Sequence, residues 1–290
     1  MLTGSFVNHL IAEASTELGK RLLFLAFLEG GTHATSILAS DGLSDYVIRC
    51  FPEEPSTVLR EVEILDRLHA LGDVVPRYIC HSTRSGWPFI VTTRVEGGHP
   101  DPQLSLTAIA HEMAATLVRI HRLSGNGLRP APEGPPSGDS PVARAARDAW
   151  NGLDLRDRVL THSDYWCGNA LWSGEKLAGV VDWSGARNAP RGVDVAWCRL
   201  DLVLLGDASA ADLFAAEYEQ LAGTTIPDLL SWDLQAAASA YPRVEEWAPN
   251  YLGIGHTELG PGLLRSRLEE WAAALVSRQP VGPPRSGKRR

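Results

Sequence analysis

Long apolar runs are missing from this chain, and with them any helix able to span a bilayer. The N-terminus lacks a basic start followed by a cleavable apolar core, so no secretory signal is visible and a cytoplasmic location is expected. Cysteine is scarce. Cys50, Cys80, Cys167 and Cys198 are the only four, and none stand at C-x-x-C spacing. That argues against a zinc site and fits a reducing compartment. Positive charge is in deficit: the net charge is -8, which argues against nucleic acid as a partner. There is no internal repeat and no G-x-G-x-x-G. What remains is ordinary for a globular protein, 44% hydrophobic and 21% charged. Its 290 residues allow one large domain or two lobes with ample core.

The informative stretch runs from Leu160 to Trp183. Asp164, Asn169 and Asp182 sit in tight loops between apolar segments. Residues 170–172 and 177–181 read as two short strands joined by a turn at Ser173, Gly174 and Glu175. A hairpin brings its ends together, so Asn169 and Asp182 should be neighbours. An amide oxygen beside a carboxylate makes a hard, oxygen-rich site. Such a site suits Mg2+, which takes few protein ligands plus phosphate oxygens. Asp164, at the rim, is placed to accept a proton from an attacking hydroxyl.

His162-x-Asp164-x4-Asn169, followed by Asp182 after a short hairpin, resembles the catalytic and metal-binding loops of kinase-fold phosphotransferases. The residues around them, from His162 to Trp172 and from Val180 to Trp183, are more similar to the aminoglycoside phosphotransferase family than to protein kinases. The resemblance implies Asp164 as catalytic base and Asn169 and Asp182 as metal ligands. His162 reads better as a brace for the backbone than as a chemical group. Cys167, inside the same loop, is either a reactive thiol or a small residue without a role.

Upstream, strand, glycine loop, strand, turn and strand follow one another from Leu22 to Phe51. Gly30 and Gly31 would let backbone amides approach a phosphate, although a Gly-Gly pair also makes a plain hairpin turn. Arg49 stands on the third strand, where the resemblance implies a cation for the α and β phosphates. Most relatives of known activity carry Lys there; arginine keeps the charge and binds phosphate bidentately. A helix over 54–71 has Val58, Val62, Leu65, Leu68 and Leu71 as its apolar stripe. Glu61 falls on the buried side of that helix and needs a partner. Arg49 is the natural one. The segment from Thr92 to Gly98 matches the hinge between lobes, and the resemblance implies that backbone groups of Thr93 and Val95 bind the nucleotide base.

A core helix over 104–123 precedes a Pro- and Gly-rich surface loop at 125–141 and a short helix to Trp150. Asp194 is read as the N-cap of the helix that follows, and Arg187 and Arg191 as phosphoryl contacts or structural pairs. The remainder is mostly helical, roughly 193–205, 208–221, 228–241 and 262–278. Residues 201–278 hold twelve acids against four arginines, with Trp232, Tyr241, Trp247, Tyr251 and Trp271 among them. This is either a face for a cationic or sugar-like molecule or a solvated surface around an aromatic core.

The expected fold is α+β and two-lobed, protein-kinase-like, with a small β-rich N-lobe and a larger helical C-lobe. The expected divisions are a nucleotide-binding lobe over 1–93, a catalytic and acceptor-binding lobe over 94–278 and a disordered basic tail over 279–290. The expected activity is transfer of the γ-phosphoryl group of ATP or GTP, with Mg2+, to a hydroxyl of a small molecule such as an antibiotic or a sugar- or amine-bearing metabolite. The alternative is a catalytically silent nucleotide-binding protein. A protein kinase is disfavoured, because no activation segment of useful length separates Asp182 from the helix near Val193.

Overall fold

Alternation of buried and half-buried residues along Thr35–Ser40 and Asp45–Cys50 marks two strands with one face in a core. In the computed structural model, which describes residues 4–28, 34–52, 54–84 and 86–279, these are β2 and β3 of a five-stranded antiparallel sheet. The other strands are β1 (Leu23–Leu28), β4 (Tyr78–Ser82) and β5 (Phe89–Thr93), in the order β1-β2-β3-β5-β4. Helix α1 (Gly4–Leu18) packs Phe6, Leu10 and Ala14 on one face of the sheet, against Ile37, Ile48, Phe89 and Val91. Since successive side chains point to opposite faces, burying Ile48 sends Arg49 to the other side. Gly30 and Gly31 lie outside the described residues, as does the tail from 280 onward.

On that other side lies α2 (Pro55–Arg67), whose Val58, Ile64 and Leu65 join a second, larger core that runs through the rest of the chain. Helical geometry ends earlier than the sequence pattern suggests. After Arg67 the chain tightens into a 3-10 segment at His69–Val74, kinked at Gly72 with φ of 68°. The larger core is built by α3 (Leu106–Ile120), α4 (Pro141–Ala149), α5 (Gly192–Leu205), α6 (Ala208–Ala222), α7 (Leu229–Ala240), α8 (Ala248–Gly253) and α9 (Pro261–Ser277). Side-chain caps set several boundaries. Ser105 accepts from the Ala108 amide and Ser140 from the Ala143 amide, while Asp207 accepts from those of Ser209 and Ala210. Among the described residues no helix is long and apolar enough to cross a membrane.

Two small antiparallel pairs complete the architecture. β7 (Ala170–Ser173) and β8 (Lys176–Val180) form the expected hairpin. β6 (Arg158–Thr161) pairs with β9 (Arg187–Pro190), a ladder the sequence pattern does not reveal. The 125–141 loop is tied along it: Asn188 donates to the Arg129 carbonyl and Ala131 to the Asn188 carbonyl. These pairs hold the loops at 162–169 and 181–186 side by side.

Candidate active site

The backbone of the 162–169 loop is held at both ends by buried carboxylates outside it. At its start, Ser163 adopts a left-handed backbone with φ of 67°. The amides of His162 and Ser163 both donate to Asp194, each at 2.7 Å. Asp194 is fully buried in the first turn of α5 and caps nothing in its own helix, contrary to the N-cap reading. Its free energy goes instead into the loop, where a buried carboxylate needs just such donors. His121 supplies a third, with Nε2 3.1 Å from Asp194 Oδ2 and Nδ1 2.7 Å from the Tyr218 hydroxyl. Burial pushes the His121 ring below its ordinary pKa, so it serves as a neutral donor and acceptor. At the far end the Cys167 amide donates to Asp201 at 2.9 Å, and the Tyr251 hydroxyl takes the other oxygen at 2.9 Å. The Cys167 thiol is itself buried, with its pKa raised well above normal, which removes the reactive-thiol reading.

Held this way, the loop presents Asp164 with two donors. Asn169 Nδ2 donates to Asp164 Oδ2 at 3.0 Å and to the Asp164 carbonyl at 2.9 Å. Trp197 Nε1, from α5, donates to Asp164 Oδ1 at 2.9 Å. Both acceptors of the Asn169 amide are oxygens, so its orientation is fixed and Oδ1 is left uncommitted. The Val181 amide donates to the Asn169 carbonyl at 2.9 Å, and Ala170 pairs with Val180. Asn169 and Asp182 therefore stand at neighbouring ends of the β7–β8 hairpin, as the spacing predicts. His162 braces the next peptide: its Nε2 donates to the Val181 carbonyl at 2.9 Å.

Asp182 has φ of 61° and ψ of 60°, a costly conformation for a residue with a Cβ. Its Oδ1 accepts from Arg49 Nη2 at 2.7 Å and from Ser184 Oγ at 3.0 Å; no partner is recorded for Oδ2 among the described residues. Burial pushes the carboxyl up in pKa. The Arg49 charge, with His162 and the hydrogen bonds from Arg49 and Ser184, outweighs it and holds Asp182 below the usual range. An ionised carboxylate oxygen and an uncommitted amide oxygen at adjacent positions fit a hard divalent cation such as Mg2+.

Arg49 also pairs with Glu61 through Nη1. Glu61 is buried, its second oxygen has no partner among the described residues, and desolvation pushes its carboxyl up against the pull of Arg49. The cation thus links α2 to the Asp182 loop across the cleft. At the hinge, the Thr93 amide is spent on the Arg77 carbonyl at 2.9 Å, whereas the Val95 amide has no recorded partner among the described residues. The hairpin docks beneath it. Trp172 and Gly98 exchange backbone hydrogen bonds at 2.7 and 3.0 Å, and a Cβ on Gly179 would sit 2.1 Å from Val95 Cγ1.

Residues 25–247 match the family model described as the phosphotransferase enzyme family. The chain belongs to this family. Kinase-like phosphotransferases, which act on hydroxyl groups, also surround it among solved structures. One is a Ralstonia eutropha JMP134 protein assigned as an aminoglycoside phosphotransferase (17% identity, TM-score 0.63, 92% of this chain and 98% of that one). Another is the spectinomycin phosphotransferase APH(9)-Ia with ADP and spectinomycin (16%, 0.60, 93% and 97%). A third is choline kinase LicA from Streptococcus pneumoniae (16%, 0.61, 94% and 99%). No curated protein matches in sequence. At such identities the structural likeness establishes the two-lobed fold.

Within this phosphotransferase, sequence reasoning missed Trp197 and Asp201 and misread Asp194. A signal was present: 194, 197 and 201 recur at helical spacing on one face of a helix whose only other charged residue is Arg199. Part of the acidic charge of the C-lobe is engaged inside it. Asp212 and Asp233 bind Arg199, Glu245 binds Arg265, and Glu258 lies against His256. Trp232 and Tyr251 are buried, so neither lines an open face. Trp247 stays half-buried, edge-on to Trp197 with centroids 5.5 Å apart. Arg191 is structural, bound to Asp157 and the Tyr218 hydroxyl.

Proposed function

We propose that the chain transfers the γ-phosphoryl group of ATP or GTP to a hydroxyl of a small molecule, with Asp164 as the base. The convergence of Asp164, Asn169 and Asp182 on one end of the β7–β8 hairpin carries this reading. The acceptor hydroxyl approaches Asp164, whose carboxylate orients it and takes its proton as the oxygen attacks phosphorus. The donors from Asn169 and Trp197 hold the carboxylate in one rotamer. Asn169 Oδ1 and Asp182 would hold Mg2+, which would neutralise charge on the phosphate oxygens. Arg49, steadied by Glu61, turns its guanidinium to the α and β phosphates, and the hinge at Thr93 and Val95 offers backbone groups to the base. The backbone amides of Gly30 and Gly31, outside the described residues, are assigned to the phosphates from the sequence alone. In this reading residues 1–93 form the nucleotide lobe and 94–278 the catalytic and acceptor lobe.

The half-buried pair Trp197 and Trp247 beside Asp164 supports an acceptor with a flat or cationic apolar face. That covers amine- and sugar-bearing compounds, antibiotics among them; the relatives named above are associated with spectinomycin and choline. One observation favours the silent nucleotide binder instead: Arg49 occupies Asp182 Oδ1. The two readings separate in a coupled ATPase assay across a panel of aminocyclitols, macrolides and amino alcohols. Acceptor-dependent turnover that Asp164→Asn lowers by at least about 10³-fold supports the enzyme. Unchanged turnover in Asp164→Asn removes the base, and nucleotide binding without turnover on any acceptor favours the binder.

A further inference from the structure

Away from the catalytic cleft, on the outer side of α2, a cavity of about 150 Å3 opens between that helix, the 127–129 segment and the start of β9. Arg60, Arg129 and Arg187 all line it. Among the described residues, no carboxylate lies within 4 Å of any of the three guanidiniums. Arg187 spends Nη1 on the carbonyls of Gly185 and Ala186, and Arg60 reaches only the Thr57 hydroxyl, at 3.3 Å. Glu63 lines the same cavity but is engaged with Arg67 at 3.1 Å. The cations repel one another: Arg187 is driven below the ordinary arginine range by burial, then by Arg129 and Arg60, with Glu133 offsetting a part.

We propose that this cavity is a binding site for a phosphate-type oxyanion, held by the guanidiniums of Arg60, Arg129 and Arg187. Guanidinium forks match tetrahedral oxyanions bidentately, and an unneutralised group of three gains by binding one. The cavity is small, so its occupant is a free ion or the phosphoryl end of a larger molecule rather than a nucleotide. Its position gives the anion a consequence. Arg60 precedes Glu61 on α2, and Arg187 follows Asp182 by five residues. An anion between them ties α2 to β9 and steadies the Glu61–Arg49–Asp182 link from behind. The site is independent of the phosphotransfer reading, because it needs neither turnover nor a nucleotide.

Calorimetric titration of the full chain with inorganic phosphate tests it, using wild type, Arg129→Ala, Arg60→Gln and Arg49→Ala. Arg129 is exposed, so its replacement leaves the fold intact. Saturable binding that weakens at least about ten-fold in Arg129→Ala and Arg60→Gln, and stays within about two-fold in Arg49→Ala, supports the site. O-phosphoserine binding tighter than phosphate then identifies a phosphorylated side chain as the source, and equal or weaker binding identifies the free ion. Absence of saturable binding overturns the proposal. So does binding unaffected by the two cavity variants, and so does binding lost only in Arg49→Ala, which would put the phosphate in the nucleotide cleft.

Discussion

Asp164 carries its charge between two donors of different origin, and they can be separated. Asn169 doubles as a metal-site residue, but the Trp197 N–H donates to the carboxylate. Trp197→Phe keeps the ring and removes the N–H. We expect kcat to fall about ten-fold, the rate equivalent of a charged hydrogen bond worth ~1.4 kcal/mol, with KM for nucleotide unchanged. A rise in nucleotide KM at constant kcat would show that the indole acts elsewhere. Asp182 offers a pH test. Its folded pKa is depressed, so its charge stabilises the fold above the unfolded carboxylate value of ~3.9, and that share is lost as pH falls through the lower folded value. Urea unfolding should find Asp182→Asn less stable than wild type at pH 7. The difference should shrink as pH falls below ~3.9 and through the lower folded value.

The elements explain why these residues meet. β6 and β9 are four residues each, and their pairing spans 26 positions between Thr161 and Arg187. Nothing local in either segment signals a strand, so the ladder escaped sequence reading. The β7–β8 hairpin was legible because its closure is local. The loop between β6 and β7 depends on α5. Asp194→Ala would strip two amides of a buried acceptor, and we expect a loss of about 3–5 kcal/mol in chemical unfolding. The hinge and hairpin interlock at Gly179 and Val95. Gly179→Ala should cost about 1–3 kcal/mol through overpacking, and Val95→Ala in the same chain should recover part of it. A double variant no better than the single one would mean the strain lies in the strand backbone.

At the scale of the whole molecule, three cysteines are buried, Cys80 is half-buried, and all four thiols are held in their protonated form. Burial pushes Cys50 up to about 12 and Cys80 up to about 11, and Cys167 and Cys198 lie well above normal. Native protein at pH 8 should show essentially no reaction with a thiol reagent, and unfolding should release four equivalents. Fast labelling in the native state would place a thiol at the surface. The two lobes share a core, since Phe51 and Ile90 of the N-terminal half belong to the same cluster as α5 and α9.

By itself the sequence determined the family and most of the strand and helix order, and it singled out Arg49, Glu61, Asp164, Asn169 and Asp182 as candidates, because periodicity, hairpin closure and motif spacing are local properties of a chain. Only the tertiary structure decided that Asp194 and Asp201 pin the 162–169 loop and that Trp197 reaches Asp164. It also decided that Asp212, Asp233 and Glu245 are spent on internal arginines. The contacts of Asp194, Asp201 and Trp197 with the loop join residues more than 30 positions apart. A buried charge takes whichever partner packing brings within reach, and packing is set by the whole core at once.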